Sequence, residues 1–446
     1  MSFPITDASQ VRFSATLPDR VDVVIIGGGI IGVMAAWFLQ KKGLSVLICE
    51  KGRIAAEQSS RNWGWVRQQG RDPGELPIMV ESLAIWKDLA AEVGDQLGFR
   101  QCGVTYLAKT EKEIAGFENW LTHARAHGLD TRLLSAAETA DHVKAAVRWK
   151  GALHTASDAR AEPWQAVPTL ARAAAAKGVH IREACAVRAL DLAAGRVAGV
   201  VTEAGRVACD NVVLAGGAWS RLFLGPLGIS FPLLSTLASV AATEPLPEVL
   251  SNCVADDDIG IRRRDDGGYT IAPGGSQHDF FIGPDAFRSL FTYLPVLRNE
   301  LRTTTLHLRG PGRFPDGWRT PRRWSPDGPT PFEAMRILNP TPNMRLIGKV
   351  QDAFARAFPA IGRPKLRAAW GGMIDTLPDA VPIVDHTPLP GLTLAAGMCG
   401  HGFGIGPGFG RVIADLVTGG TVGHDLSRFR FSRFSDGSRL APAVGL

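Results

Sequence analysis

The stretch Val23-Val-Ile-Ile-Gly-Gly-Gly-Ile-Ile-Gly32, with Glu50 eighteen residues beyond it, constrains this chain more than any other feature. Val23 to Ile26 is the continuous apolar run of a strand buried on both faces. Gly27, Gly29 and Gly32 follow with G-x-G-x-x-G spacing: the first permits a tight turn, the second lets backbone approach a pyrophosphate, the third lets a helix sit close on the strand. Gly28 and Ile31 share that turn. The helix that begins here offers free N–H groups and a positive dipole end to phosphates. Ser45 to Glu50 reads as the next strand, and places the Glu50 carboxylate, with Lys51 beside it, where it can take the ribose hydroxyls of an adenine dinucleotide. A membrane span over Val23–Leu39 is rejected. Its 17 uncharged residues are at the short limit for a span, contain consecutive glycines, and close with Lys41, Lys42 and Gly43 as a soluble helix does.

At 446 residues, two domains are expected. The net charge of +6 would suit nucleic acid or an anionic surface, but it is carried by dispersed arginines, with clusters only at Arg262-Arg263-Arg264 and at Arg319, Arg322 and Arg323. Solvated surface is the expectation, with no nucleic-acid partner. The six cysteines form no C-x-x-C pair and the ten histidines no H-E-x-x-H, so neither a disulfide framework nor a metal site is expected. The first twenty residues lack an apolar core, which points to a cytoplasmic protein without a transmembrane segment.

Along the chain, helices are expected over Leu76–Val93, Thr110–His127 (Thr110 as N-cap, Glu113 closing a capping box), Glu162–Lys177 and Arg411–Thr418, and a strand over Phe99–Ala108. Short strands are expected from Val179 to Ala215, ending at the small-residue turn Gly216-Gly217-Ala218-Trp219. From Phe231 to about Leu346, short alternating runs between Pro/Gly turns suggest an antiparallel domain. Leu392–Ala396 reads as a strand entering a second glycine loop, Gly397–Gly410. The nucleotide signals sit at both ends and in the middle. A discontinuous nucleotide-binding domain (1–95, 148–230, 346–446) and a substrate domain (96–147, 231–345) follow.

Five motifs in this order resemble the D-amino-acid oxidase/sarcosine oxidase superfamily of FAD-dependent amine oxidoreductases: Val23–Gly32 with Glu50; Ser59-Ser-Arg-Asn-Trp-Gly64; Val212–Ser220; Trp370-Gly-Gly372 with Pro378, Asp379 and Pro382; and Gly397–Gly410. The resemblance implies an α/β fold, with a Rossmann-like FAD-binding domain of the glutathione-reductase-2 type and a mixed, largely antiparallel substrate domain. It implies oxidation of a C–N bond of an amino acid, N-substituted amino acid or amine by hydride transfer to flavin N5, the imine then hydrolysing. On matching positions, Gly27, Gly29 and Gly32 take the pyrophosphate and Glu50 the ribose. Ser59, Ser60, Arg61 and Asn62 line the path to the flavin. Gly64 and Gly372 lie by its ring, Val187 contacts adenine through its backbone, and Ala215, Gly216 and Trp219 border the cofactor. Gly400, His401, Gly402, Phe403 and Gly404 approach flavin N1/O2.

The chain also departs from that pattern. No cysteine occurs in Ala368–Gly372, so FAD should be non-covalent. A lysine expected after the Gly-His-Gly-Phe loop is Gly404, and a carboxylate-clamping arginine is Ile374. Arg67, Asp375 and His401 are therefore the expected catalytic and substrate-binding polar groups, with Arg322 or Arg323 as further cations and Trp63, Trp65 and Trp370 as an aromatic wall. The expected partners are a small-molecule substrate and O2 or another electron acceptor, in a homo- or hetero-oligomer. A flavin 2-hydroxy-acid dehydrogenase, an RNA-modifying flavoprotein and one subunit of a multi-chain dehydrogenase are the alternatives.

Overall fold

The computed structural model describes residues 3–275, 277–300 and 303–444. Its nucleotide-side sheet is built from β1 (Val23–Ile26), β2 (Val46–Cys49), β3 (His180–Arg182), β4 (Asn211–Leu214), β5 (Ile383–His386) and β6 (Leu392–Ala396). The spatial order is β5-β6-β4-β1-β2-β3. Every neighbouring pair is parallel except β5 with β6. β1 thus lies between β2, next in the chain, and β4, nearly two hundred residues on. Three separated segments build one sheet, as the glycine motif, the central strands and the second glycine segment require.

Helix α1 (Ile30–Lys41) follows β1 and is buried nearly all round, with Ile30, Val33, Met34, Trp37 and Leu39 in the core. A helix without a polar face must be covered on every side. It is enclosed by the sheet, by helix Pro163–Ala176 and by α3 (Gly402–Thr418). α3 begins nine residues before the expected Arg411, so the glycines read as a loop are helical. Packing explains this. A Cβ on Gly410 would lie 2.5 Å from Met34 Cβ, one on Gly406 2.6 Å from Ile30 Cγ1, and one on Gly408 2.7 Å from the Ile78 carbonyl of α2 (Leu76–Val93).

A ten-stranded sheet forms the other layer. Its spine is the antiparallel pair Leu234–Thr243 and Leu366–Thr376, which stay in register from Leu234 opposite Thr376 to Ala242 opposite Ala368. Strand Gly151–Thr155 joins this sheet between Val104–Ala108 and Thr131–Ser135, and helix Met344–Ala357 packs Ile347, Val350 and Phe354 against its Tyr269 and Ile271. The expected domain limits at 148 and 346 therefore cut across this layer. The expected strand Phe99–Ala108 is broken. Cys102 and Gly103 both donate to the Asp158 carbonyl, Gly103 turns with φ +75°, and only Val104–Ala108 continues into the large sheet. The helix Glu111–Ala126 has the expected capping box between Thr110 and Glu113.

Candidate active site

Between the two sheets lies a cavity of about 660 Å³, walled by the β1–α1 turn, residues 49–67, the β4 turn, the Leu366–Thr376 strand and the α3 N-terminus. At one end the fit to a dinucleotide is close. α1 starts at Gly29 with no capping side chain from that residue and no acid in its first turn. A Cβ on Gly32 would stand 2.1 Å from the Gly27 carbonyl, so helix and strand meet only because that atom is missing. Ser59 Oγ accepts from the Ile30 amide (2.9 Å) and stands 3.0 Å from where a Gly29 Cβ would be. Oxygens of Glu50 accept from Gly28 N (2.7 Å) and Gly52 N (2.6 Å), and the half-buried carboxylate borders the cavity. Ile31, Lys51, Val187, Ala215, Gly216 and Trp219 line the same end. Lys51 ion-pairs with Glu57 at 2.7 Å and lies 4.2 Å from the Trp219 ring centroid, while Trp219 Nε1 donates to Glu57. These residues would hold the adenosine and pyrophosphate of FAD.

The segment 58–64 crosses from that end to the other sheet. Ser59 and Asn62 face the cavity. Arg61 lines it too, but its guanidinium is taken by the carbonyls of Ala56, Gly371 and Ile5 and by Asn339 Oδ1. Burial pulls its pKa down to about 10. Arg61 thus ties the two layers together. Ser60 is buried away from the cavity wall, and so is Gly64, whose absent Cβ would face the Ala161 carbonyl at 2.5 Å and Arg262.

At the far end, the Gly397–His401 turn leads into α3. Asp375 lies beneath it: its carboxylate accepts from Gly397 N (2.7 Å) and its carbonyl from Cys399 N (3.0 Å). Burial raises the Asp375 pKa. Cys399 has φ +49° and a buried thiol pushed well up, so it stays protonated. α3 has no side-chain cap and no acid in its first turn. His401, Gly402, Phe403 and Gly404 border the cavity there, as do Gly372 and Gly400.

Arg67 and Trp65 also line this end, Arg67 with its guanidinium 5.6 Å from the Tyr106 ring. Two residues not singled out in the sequence complete it. Arg71 is 2% exposed; its Nη2 donates to the His401 carbonyl (3.2 Å) and its Nη1 has no hydrogen-bond partner. Burial brings its pKa down to about 10. Glu75, fully buried, lies 3.4 Å from His401 Nδ1 and 3.6 Å from Arg71 Nη1. Burial lowers the His401 pKa despite Glu75. Arg–Glu at i,i+4 is the only sequence signal this pair offers, and on most helices it marks a solvated face.

Two expected substrate contacts are corrected. Arg322 is not in the cavity wall; Asp285 (2.5 Å) and Asp316 (2.8 Å) bind its guanidinium. Trp370 is buried outside the cavity, its Nε1 donating to the Arg61 carbonyl (3.0 Å) and its ring edge-on to Phe3. Further along its strand Gly372 and Ile374 reach the cavity instead. Among the described residues no group of three or more His, Cys, Asp or Glu could hold a metal, and no helix is long and apolar enough to cross a membrane.

Comparison with known proteins agrees with this geometry. The family profile described as FAD dependent oxidoreductase, DAO, matches residues 22–416. The chain is 25% identical over 424 residues to sarcosine oxidase subunit beta of Rhizobium meliloti, covering 93% of this chain and 89% of that one. It is 26% identical over 428 residues to glycine oxidase of Geobacillus kaustophilus, covering 93% and 97%. Among solved structures, L-amino acid deaminase from Proteus myxofaciens in complex with anthranilate matches with TM-score 0.89 at 30% identity, over 96% of this chain and 97% of that one.

Proposed function

The chain belongs to the DAO family of FAD-dependent oxidoreductases, and from that premise we propose that its substrate is an amino acid or N-substituted amino acid, oxidised at the C–N bond next to its carboxylate. The observation that carries this reading is Arg71. A guanidinium almost wholly out of water, with one nitrogen unpartnered in a cavity wall, is costly unless a ligand completes it. Glu75 offsets part of the charge but lies beyond hydrogen-bond range of Nη1. Arg67 stands beside it in the same wall. A carboxylate spanning the two would gain charge-assisted hydrogen bonds in a low-dielectric site. This arrangement supplies the cation that the sequence lacks at Ile374 and Gly404.

Bound FAD would supply the electron-accepting ring for the C–N oxidation. The protein supplies orientation and electrostatics. The amides of Gly402, Phe403 and Gly404 open a helix N-terminus with no acid in its first turn, which favours negative charge beside them. Trp65 and Tyr106 wall the substrate end. Burial works against a third positive charge on His401 beside the two arginines.

Kinetics of Arg71→Lys and Arg67→Ala test the assignment. Loss of a planar, bidentate partner should lower kcat/KM for amino acids roughly tenfold or more, mainly through KM. Anaerobic mixing should bleach the flavin with amino acids or their N-alkyl derivatives, and not with the matching decarboxylated amines. Equal bleaching by those amines, or bleaching by 2-hydroxy acids alone, would remove the proposal.

A further inference from the structure

The segment 284–323 reverses the usual arrangement of a surface element. Its helix Leu290–Glu300 is anchored from inside by Tyr293, whose hydroxyl reaches the carbonyls of Pro232 and Thr376 at 2.8 Å. Its outer side carries Leu290, Phe291 and Leu294, continuing Phe287 of the preceding turn at i, i+3, i+4 and i+7. Phe291 is 83% exposed, and Leu308, just past the edge strand Thr304–His307, is 82% exposed. Trp318, also exposed, sets its ring 5.7 Å from Phe287. These side chains stand exposed at the surface.

Charge collects in the same place. The segment holds eight arginines against three acidic residues, so it carries most of the chain's net +6. Asp285 and Asp316 are both bound to Arg322, and Asp285 also to Arg288. Exposed Arg309, Arg313, Arg319 and Arg323 form no ion pair among the described residues. Exposed Phe, Leu and Trp interspersed along the segment with arginines that form no ion pair match the chemistry of an anionic lipid surface, where rings enter the acyl boundary and each cation near the headgroups adds roughly fivefold in partition. A protein partner would need a complementary acidic, concave face, whereas a bilayer needs no shape match.

We propose that segment 284–323 docks this enzyme peripherally on anionic membranes, with Phe291 and Leu308 inserted and Arg309, Arg313, Arg319 and Arg323 on the headgroups. The test is co-sedimentation of the FAD-loaded full chain with vesicles of phosphatidylcholine, or of equimolar phosphatidylcholine and phosphatidylglycerol, at 50 and 500 mM salt. Binding should be at least tenfold stronger to the anionic vesicles at low salt and should weaken at high salt. Phe291→Asp with Leu308→Asp should lose tenfold or more while flavin content and turnover of soluble substrate stay unchanged. No binding to anionic vesicles at 50 mM salt, or binding that survives the double substitution, overturns the proposal. So does a native chain that self-associates through this face, shown by a monomeric double variant, without binding vesicles.

Discussion

Buried titratable side chains give the molecule its sharpest single-residue signatures. Glu75 shows the balance: burial works against its charge, yet His401 and Arg71 outweigh it and hold its pKa below the ordinary value. His154 is the cleaner case for measurement. It is buried against Thr105, whose hydroxyl lies 2.9 Å from its Nδ1, and burial followed by the neighbouring His142 takes its pKa down to about 4. The unfolded value is about 6.5, so between pH 4 and 6.5 the unfolded chain binds more protons. Stability from this residue is therefore intact above pH 6.5 and is lost as pH falls toward 4. Asp158, raised to about 6 by burial, acts with the opposite sign, losing stability as pH rises through about 4 to 6. It is common to any His154 variant and cancels in a difference. His154→Gln should therefore cost stability at pH 7, and that deficit in Tm should shrink or reverse by pH 4.5. A constant Tm difference across this range would show that His154 does not titrate as described.

At the scale of elements, α3 is the decisive one. Alanine for glycine in a helix interior ordinarily stabilises by up to about 1 kcal/mol. At Gly410 the added methyl would meet both Met34 Cβ and the Met34 backbone carbon, at 2.5 and 2.6 Å. Overpacking of that kind costs about 1–3 kcal/mol. Gly410→Ala should therefore lower Tm and weaken FAD retention, because the N-termini of α1 and α3 both border the cavity and would be pushed apart. A raised Tm would mean that the helices are less tightly apposed. This element also marks where sequence reading stops. β1, β2, β4, β6, the α1 glycines and the Thr110 capping box are legible because strand runs, glycine spacing and caps are local signals. Gly402 to Gly410 has no such signal for helix: alternate glycines carry the lowest propensity short of proline, and only contact with α1 and α2 makes their missing side chains an advantage. Arg71 was hidden for a related reason, since nothing local tells a buried Arg–Glu pair from a solvated one. Arg322 was over-read, because its basic neighbours are close in sequence whereas Asp285 and Asp316 become its partners only in the fold.

For the whole molecule, the dinucleotide cradle binds the ends of the chain together. β1 and α1 come from the first forty-one residues, β6 and α3 from the last sixty, and the two helices meet along their length. A ligand lying across these pieces and the second sheet stabilises the complete fold and has no affinity for the unfolded chain. At a hundredfold excess over Kd it adds about 2.7 kcal/mol, which for a chain of this size corresponds to several degrees in Tm. The attachment should be reversible. Ala368–Gly372 contains no cysteine, and Cys399, the thiol in the cavity wall, is held protonated by burial and donates to the Gly397 carbonyl (3.0 Å). Acid precipitation of the purified protein should therefore leave a colourless pellet with all flavin in the supernatant. The flavin-free chain, prepared without unfolding, should regain its Tm on addition of FAD. A yellow pellet would establish a covalent bond to the flavin, and a Tm indifferent to FAD would mean that the crevice between the sheets folds without needing what fills it.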